Sequence, residues 1–596
     1  TMSEYKAPVK EMNFTLNDVI DIAEVTAIEK FQDADDDLIE AILQEGAKFT
    51  GEVLSPLNRS GDLNPATVSD GVVTTSPGFK EAYQQYCENG WNGITSNIEY
   101  GGQGLPHALG LPIMEMVESA NSAFSLCPML TASAILAIDT HGTEEQKKTY
   151  LEKLVSGAWS GTMNLTEPNA GSDVGALRSK AEKQDDVSYL IKGQKIYITY
   201  GEHEMAENII HLVLARLPGA PEGTRGISLF IVPKFLINED GSLGKRNDLT
   251  CVSLEHKLGI HGSPTCTMSY GDNDQCVGYL IGEENKGMMT MFTMMNDARL
   301  AVGSQGVAIS ERAYQMALEY ANERVQGISL KTRENSPIIE HPDVRRMMMT
   351  IKSTTEAVRA IAYLNAKSID LAKYHPESEV AEKYRGLADL LTPLSKAYGS
   401  DLGIENSSLA MQVFGGMGYI EETGIAQVYR DARINAIYEG TNGIQAIDLV
   451  GRKLSIEDGK HWRLLHDEIT EFAETLPDND EFATIRNNLS KVVSLSKDCA
   501  EWLLSQHNVN ICNTMAGSVP YLRILSTTVG CYLMAKGALA ARKKIENGHS
   551  DKEFLEGKIV TSRFYAEQIV PTVLGLGEAI KAGDELFYAI DKNNFA

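Results

Sequence analysis

Between about residues 158 and 282 the chain changes texture, and that change limits what it can fold into. Short runs rich in β-branched and aromatic residues, at 188–199, 209–215, 227–232 and 266–270, alternate with Gly, Pro and Asn turns, the pattern of a small β-domain. On either side the spacing is helical. Leu38, Ile42, Phe49 and Val53 recur behind an acidic N-cap region, and similar spacing continues to Gly157. Beyond the strands a helical pattern runs over 285–322, Pro342 and Asp343 open another, and helices carry the chain to Leu454. The remainder is again helical, with Leu522, Leu525 and Val529 at i, i+3 and i+7 and breaks at 477–480 and 547–549. At roughly 150 residues per domain, 596 residues imply about four domains. The predicted fold class is mainly α with a central β-domain. Its parts are an N-terminal extension (1–34), a helical domain (35–157), the β-domain (158–282), a second helical domain (283–454) and an additional helical domain (455–596).

Two runs in the second helical domain carry chemistry. The first is Gln412-Val413-Phe414-Gly415-Gly416-Met417-Gly418-Tyr419, and the second is Ala436-Ile437-Tyr438-Glu439-Gly440-Thr441-Asn442-Gly443-Ile444-Gln445. Thr441 is a good N-cap for a helix through Ile444, Ile447, Leu449 and Val450, so Glu439 is expected at a helix entrance. There the helix dipole favours the carboxylate while apolar neighbours favour the neutral acid, a balance suited to a general base. Gly415 and Gly416 let backbone approach a flat or phosphorylated cofactor, since no Cβ intervenes. By spacing alone, Glu439 as a capping acid and the glycines as turn residues account for the same pattern.

Both runs, with Leu165-Thr166-Glu167-Pro168-Asn169-Ala170-Gly171-Ser172-Asp173 and the segment from Glu255 to Cys266, resemble in the same order the motifs of the acyl-CoA dehydrogenase family. The resemblance spans about residues 40 to 452. It implies the acyl-CoA dehydrogenase fold (α-domain, β-domain, α-domain), here with the additional C-terminal helices, and FAD as cofactor. Glu439 would remove the α-proton of an acyl-CoA thioester while the β-hydrogen leaves as hydride to the flavin. Met163, Leu165, Thr166, Ser172, Tyr197, Thr199, Arg324, Gln412, Gly415, Gly416 and Thr441 are the implied FAD contacts, and Ser172, Asn296 and Arg299 the implied substrate contacts. Tyr197 stands where many relatives carry Trp, and the aromatic residue that follows the arginine in relatives is absent after Arg324. Because the Gln412 to Gly416 run reaches a neighbouring subunit's flavin in the family, a homo-oligomer, at least a dimer, is implied. An electron-transfer flavoprotein is the implied electron acceptor.

Within the family, the Tyr5-Lys6-Ala7-Pro8 start, the run from Phe14 to Val19, the Gly201-Glu202-His203-Glu204 turn and the fourth domain look most like the branch of dimethylsulfoniopropionate breakdown. That branch converts 3-(methylthio)propanoyl-CoA to 3-(methylthio)acryloyl-CoA. Broad-range medium- and long-chain acyl-CoA dehydrogenases share the architecture. An acyl-CoA oxidase, or a DNA-binding alkylation-response flavoprotein of the same family, are further readings.

Charge and cysteine usage bear on partners. With 54 Lys and Arg against 81 Asp and Glu the formal charge is −27, which opposes nucleic acid and anionic membrane. An anionic acyl-CoA then needs a local cluster of cations or helix N-termini. The eight cysteines show no CxxC and no zinc spacing, so no metal is expected and a reducing cytoplasm fits. No apolar signal or anchor is expected near the N-terminus, and the uncharged stretch 119–138 is expected as a buried helix. His203 and His211 are expected to be structural. The methionines from Met288 to Met295 either line an acyl pocket or pack the core.

Overall fold

The computed structural model describes residues 3–596. The chain forms two compact units, one of Lys48–Leu105 with Met116–Ala301, the other of the residues up to Ala47 with Pro106–Glu115 and Val302–Ala596. The predicted fold class holds: helices dominate, one large sheet lies mid-chain, and further helices follow.

In the unit of Lys48–Leu105 and Met116–Ala301, eight strands make the sheet: β1 (Trp159–Asn164), β2 (Lys180–Lys183), β3 (Ser188–Thr199), β4 (Asn208–Arg216), β5 (Ile227–Pro233), β6 (Leu249–Leu254), β7 (Thr265–Tyr270) and β8 (Val277–Ile281). Their order is β6-β7-β3-β8-β5-β4-β1, with β2 pairing β3 and β4. Four of these strands, β1, β2, β6 and β8, were not among the predicted runs. β1 escapes because it pairs parallel to β4 and is buried along its whole length, so it lacks the polar-apolar alternation that marks a half-exposed strand. Helix α1 (Ser122–His141) packs against β1, opened by the Asn121 side chain, which accepts from the Phe124 N–H. The expectation of a buried helix over 119–138 is met, since 78% of its most apolar window lies inside the protein. A second helix long and apolar enough to cross a membrane, Ser518–Glu546, is buried to the same extent. The predicted helical stretch 35–157 also holds a hairpin, Thr67–Ser69 with Val72–Thr74. Its turn is Asp70-Gly71, both at positive φ, the geometry an Asp-Gly pair favours.

His203 and His211 are structural, as expected. Each is buried, His203 against the Ser160 hydroxyl (2.8 Å) and His211 against that of Thr162 (2.6 Å), so the pairs tie β4 and the turn before it to β1. Burial pushes both down to about 3, and the nearby cations Lys234 and, for His211, Arg246 act in the same direction.

Helix α2 (Gly287–Glu323) follows the sheet, and its residues from Val302 on belong to the other unit. There α3 (Pro342–Tyr374) and α4 (Ser378–Phe414) form a helical hairpin. The later part of α2 meets α4 where both carry glycine: a Cβ on Gly306 would stand 2.0 Å from the Gly399 carbonyl oxygen. A buried charge cluster ties the same unit together. Arg359 donates to Glu115 and Glu311, and Tyr363 donates to Glu115 at 2.8 Å. Helix α5 (Asn442–Asp448) continues as a π turn (Leu449–Lys453), and α6 (Ala483–Gln506), α7 (Ser518–Glu546) and α8 (Lys552–Phe564) lie in the C-terminal region. The N-terminal segment buries Tyr5, Met12, Phe14 and Leu16 and is helical over Val9–Val19.

Candidate active site

The residues singled out by sequence fall into two groups, one in each unit. In the sheet unit, Met163 lies buried on β1, Leu165 and Thr166 follow it half-buried, and Ser172 is exposed on the next loop. Thr166 and β3 are brought together, because the Ile196 N–H donates to the Thr166 carbonyl at 2.9 Å. The loop is a tight turn closed by mutual backbone bonds of Glu167 and Ala170. Beneath it lies an ion pair that sequence reasoning missed. Lys195 on β3 has no exposed side-chain surface and donates to the Leu165 carbonyl (3.1 Å) and to Glu167 (2.7 Å), which also accepts from Arg178 N–H and from Ser179. Nothing local marks a lysine in a strand as buried, so this clamp is visible only after folding. Burial pushes Lys195 down to about 8 against the pull of Glu167; burial also raises Glu167, but Lys195 with the Arg178 and Ser179 hydrogen bonds outweighs it and the net shift is downward.

Tyr197 owes its position to a β-bulge. The β7–β3 register shifts between Cys266 and Met268, so one residue of β7 faces two on β3. Tyr197 takes φ +59 there, a left-handed conformation that costs a non-glycine residue about 1–3 kcal/mol, and the residue is 60% exposed. Thr199, at the end of β3, pairs with Thr265 and is half-buried. On α2, Asn296 is exposed and Arg299 is buried, one turn apart. Met291 and Met294 are fully buried while Met289 is exposed, so the methionine cluster is mainly packing.

In the other unit, Gln412 ends α4 and Gly415 stands at φ +62, ψ −140, a conformation open to glycine. A Cβ at Gly415 or Gly416 would meet no atom within 4 Å, so the backbone there faces open space. Arg324 is exposed, its guanidinium donating to the Gln326 side chain at 3.4 Å. Glu439 is half-buried at φ +58, and the expected cap is present: the Thr441 hydroxyl accepts from Ile444 N–H at 3.2 Å. Two further residues hold this loop and were not picked out from sequence. Gln445, buried, donates to the Glu439 and Gly440 carbonyls, each at 3.3 Å, and Asn442 bonds α4. Among the described residues no group of three or more His, Cys, Asp or Glu is arranged to hold a metal ion.

Comparison with known proteins places these elements in one family. Models of the acyl-CoA dehydrogenase N-terminal, middle and C-terminal domains match residues 65–158, 162–272 and 285–454, and a model described as acetyl-CoA dehydrogenase C-terminal like matches 465–591. The chain belongs to the acyl-CoA dehydrogenase family, FAD-dependent oxidoreductases acting on CH–CH bonds. Among its relatives is the 3-methylmercaptopropionyl-CoA dehydrogenase of Ruegeria pomeroyi, 44% identical over 95% of this chain and 96% of that protein. A butyryl-CoA dehydrogenase of Syntrophomonas wolfei is 37% identical over 97% of each. An acyl-CoA dehydrogenase from Bacillus anthracis, solved complexed with FAD, shares the fold with a TM-score of 0.75 at 22% identity, covering 97% of this chain and 93% of that one. The residues present fit such a cofactor: Gly415 and Gly416 open onto unfilled space, Arg324 offers an exposed guanidinium for a phosphate, and Tyr197 presents a flat ring outward.

Proposed function

We propose that the protein dehydrogenates 3-(methylthio)propanoyl-CoA to 3-(methylthio)acryloyl-CoA, with Glu439 as the base. The observation that carries the chemistry is the setting of Glu439, a half-buried carboxylate in a left-handed turn directly before a capped helix. A residue kept in that conformation is held there by its surroundings, which is what a base aimed at one C–H bond needs. Glu439 takes the α-proton on a carboxylate oxygen. When bound, FAD supplies the acceptor for the β-hydrogen. Met163, Leu165, Thr166, Ser172, Tyr197, Thr199, Arg324, Gln412, Gly415, Gly416 and Thr441 are assigned to the flavin. Ser172, Asn296 and Arg299 are assigned to the CoA thioester. The thioether substrate is supported by the identity to the Ruegeria enzyme along nearly the whole chain. Electron-transfer flavoprotein as acceptor, a homodimer and a cytoplasmic location complete the proposal.

The relative named for butyryl-CoA favours a second reading, a short-chain acyl-CoA dehydrogenase. Anaerobic titration of the purified holoenzyme separates the two. Addition of 3-(methylthio)propanoyl-CoA should bleach the flavin band at about 450 nm at lower concentration than butyryl-CoA or palmitoyl-CoA does. Preference for butyryl-CoA selects the second reading, and preference for palmitoyl-CoA rejects both. Glu439→Gln should retain FAD and lose bleaching, since an amide does not accept the proton.

A further inference from the structure

Resting on the assignment of Glu439 as base, we propose that Asn442 is its positioning residue, and that the C-terminal region matched at 465–591 seats the helix that Asn442 begins.

The loop around Glu439 is held on both sides. Before it, the Tyr438 hydroxyl donates to Gln305 and to Asn435 (3.1 Å). After it, the Asn442 amide spans one turn of α4. Its oxygen accepts from Lys396 Nζ at 2.9 Å, and its nitrogen lies 2.9 Å from the Ser400 hydroxyl and donates to Asp401 at 2.7 Å. Lys396 and Ser400 are fully buried. A carboxamide suits this position, because it offers an acceptor to the lysine and a donor to the carboxylate at once. Aspartate would face Asp401 with like charge, and serine is too short to reach both. The side-chain bonds of Asn442 and Gln445 go to α4 and to the Glu439 and Gly440 carbonyls, so their effect on chemistry passes through the backbone of Glu439 and Gly440.

The far end of the same helix rests on the C-terminal region. His507 bonds the Val450 carbonyl at 2.9 Å within the π turn, Met515 lies where a Cβ on Gly451 would be 3.0 Å away, and Leu449 and Val450 are fully buried. π turns concentrate where a helix is distorted to aim something else. That region also braces α4, through the Tyr565 and Tyr398 hydroxyls (2.8 Å) and through Arg523, which pairs with Glu405 at 2.9 Å and lies over the Tyr398 ring. Both supports of the Asn442 clamp are therefore held by helices after residue 465.

The test uses the full-length holoenzyme and single-turnover flavin reduction by an acyl-CoA, followed across pH, with FAD content and circular dichroism measured on each variant. Asn442→Ala should keep FAD and the KM for acyl-CoA, reduce kcat by roughly 10- to 100-fold, and move the pH dependence of flavin reduction. Placed on top of Glu439→Gln it should add no further loss. His507→Leu should lower kcat at unchanged KM, and His507→Gln, which keeps a donor for the Val450 carbonyl, should recover most of it. Wild-type kcat in a folded, FAD-loaded Asn442→Ala, or an unmoved pH profile, overturns the clamp. Wild-type kcat in His507→Leu overturns the seating by the C-terminal region, and stands even where Asn442→Ala does not fold. Turnover retained by Glu439→Gln overturns the base assignment itself, a different outcome from either.

Discussion

At the scale of single residues, the loops that carry the proposed site residues differ in how they are held. The Glu439 loop is held by the side-chain amides of Gln445 and Asn442, whereas the Leu165-Thr166 loop is placed by a buried ion pair. A buried pair resists loss of one member more than loss of both, because the survivor keeps its charge without a partner. Lys195→Met should destabilise the sheet unit by about 3–5 kcal/mol and loosen FAD. Thermal melts with and without added FAD check this, and an unchanged melt would mean that Glu167 is satisfied by Arg178 and Ser179 alone. The Thr441 cap and the acid before it were legible in the sequence, since capping is settled within four residues. Lys195 was not. Whether a strand lysine faces water or the core depends on which strands flank it, and those partners come from elsewhere in the chain.

At the scale of elements, β1 is tied to its neighbours by more than backbone bonds. Ser160, Thr162 and Asn164 on β1 meet His203, His211 and Tyr270, and both histidines are kept neutral by burial. Their folded values near 3 lie below the ordinary 6.5, so the unfolded chain binds more protons below pH 6.5. Their contribution to stability should therefore be flat above about pH 7 and fall as pH drops from 6.5 toward 3, by up to about 1.4 kcal/mol per pH unit for each histidine. Urea titrations between pH 7.5 and 5 measure the slope, and a His203→Asn variant should show a shallower one. The long helices and the strand 188–199 could be read from periodicity, which is a property of the segment itself. The bulge that turns Tyr197 outward could not, because it exists only as a mismatch between β3 and β7.

At the scale of the whole molecule, the sequence ends are joined within one unit. Lys558, near the C-terminus, pairs with Glu11 in the N-terminal segment and with Glu356 on α3 at 2.7 Å, and Lys352 lies 2.9 Å from Glu356. Burial raises Glu11, but Lys558 and Lys352 outweigh it and hold it near 2, so this contribution is complete above about pH 4.5 and lost as pH falls toward 2. Lys558→Met should lower the melting temperature and expose the first 20 or so residues to limited proteolysis at neutral pH, by leaving Glu11 and Glu356 with Lys352 alone. Resistance equal to wild type would show that buried Tyr5, Met12 and Leu16 anchor the segment without it.

The sequence by itself determined the fold class, the four family motifs in their order, and the acid and its cap, because each rests on residues close together in the chain or on a pattern repeated along it. Tertiary structure alone decided which charges are buried in pairs, which strands β1 joins, where Tyr197 points, and that Asn442 and His507 fasten the helix behind Glu439. Those depend on contacts between segments far apart in sequence, and burial and register come into being only when such segments meet.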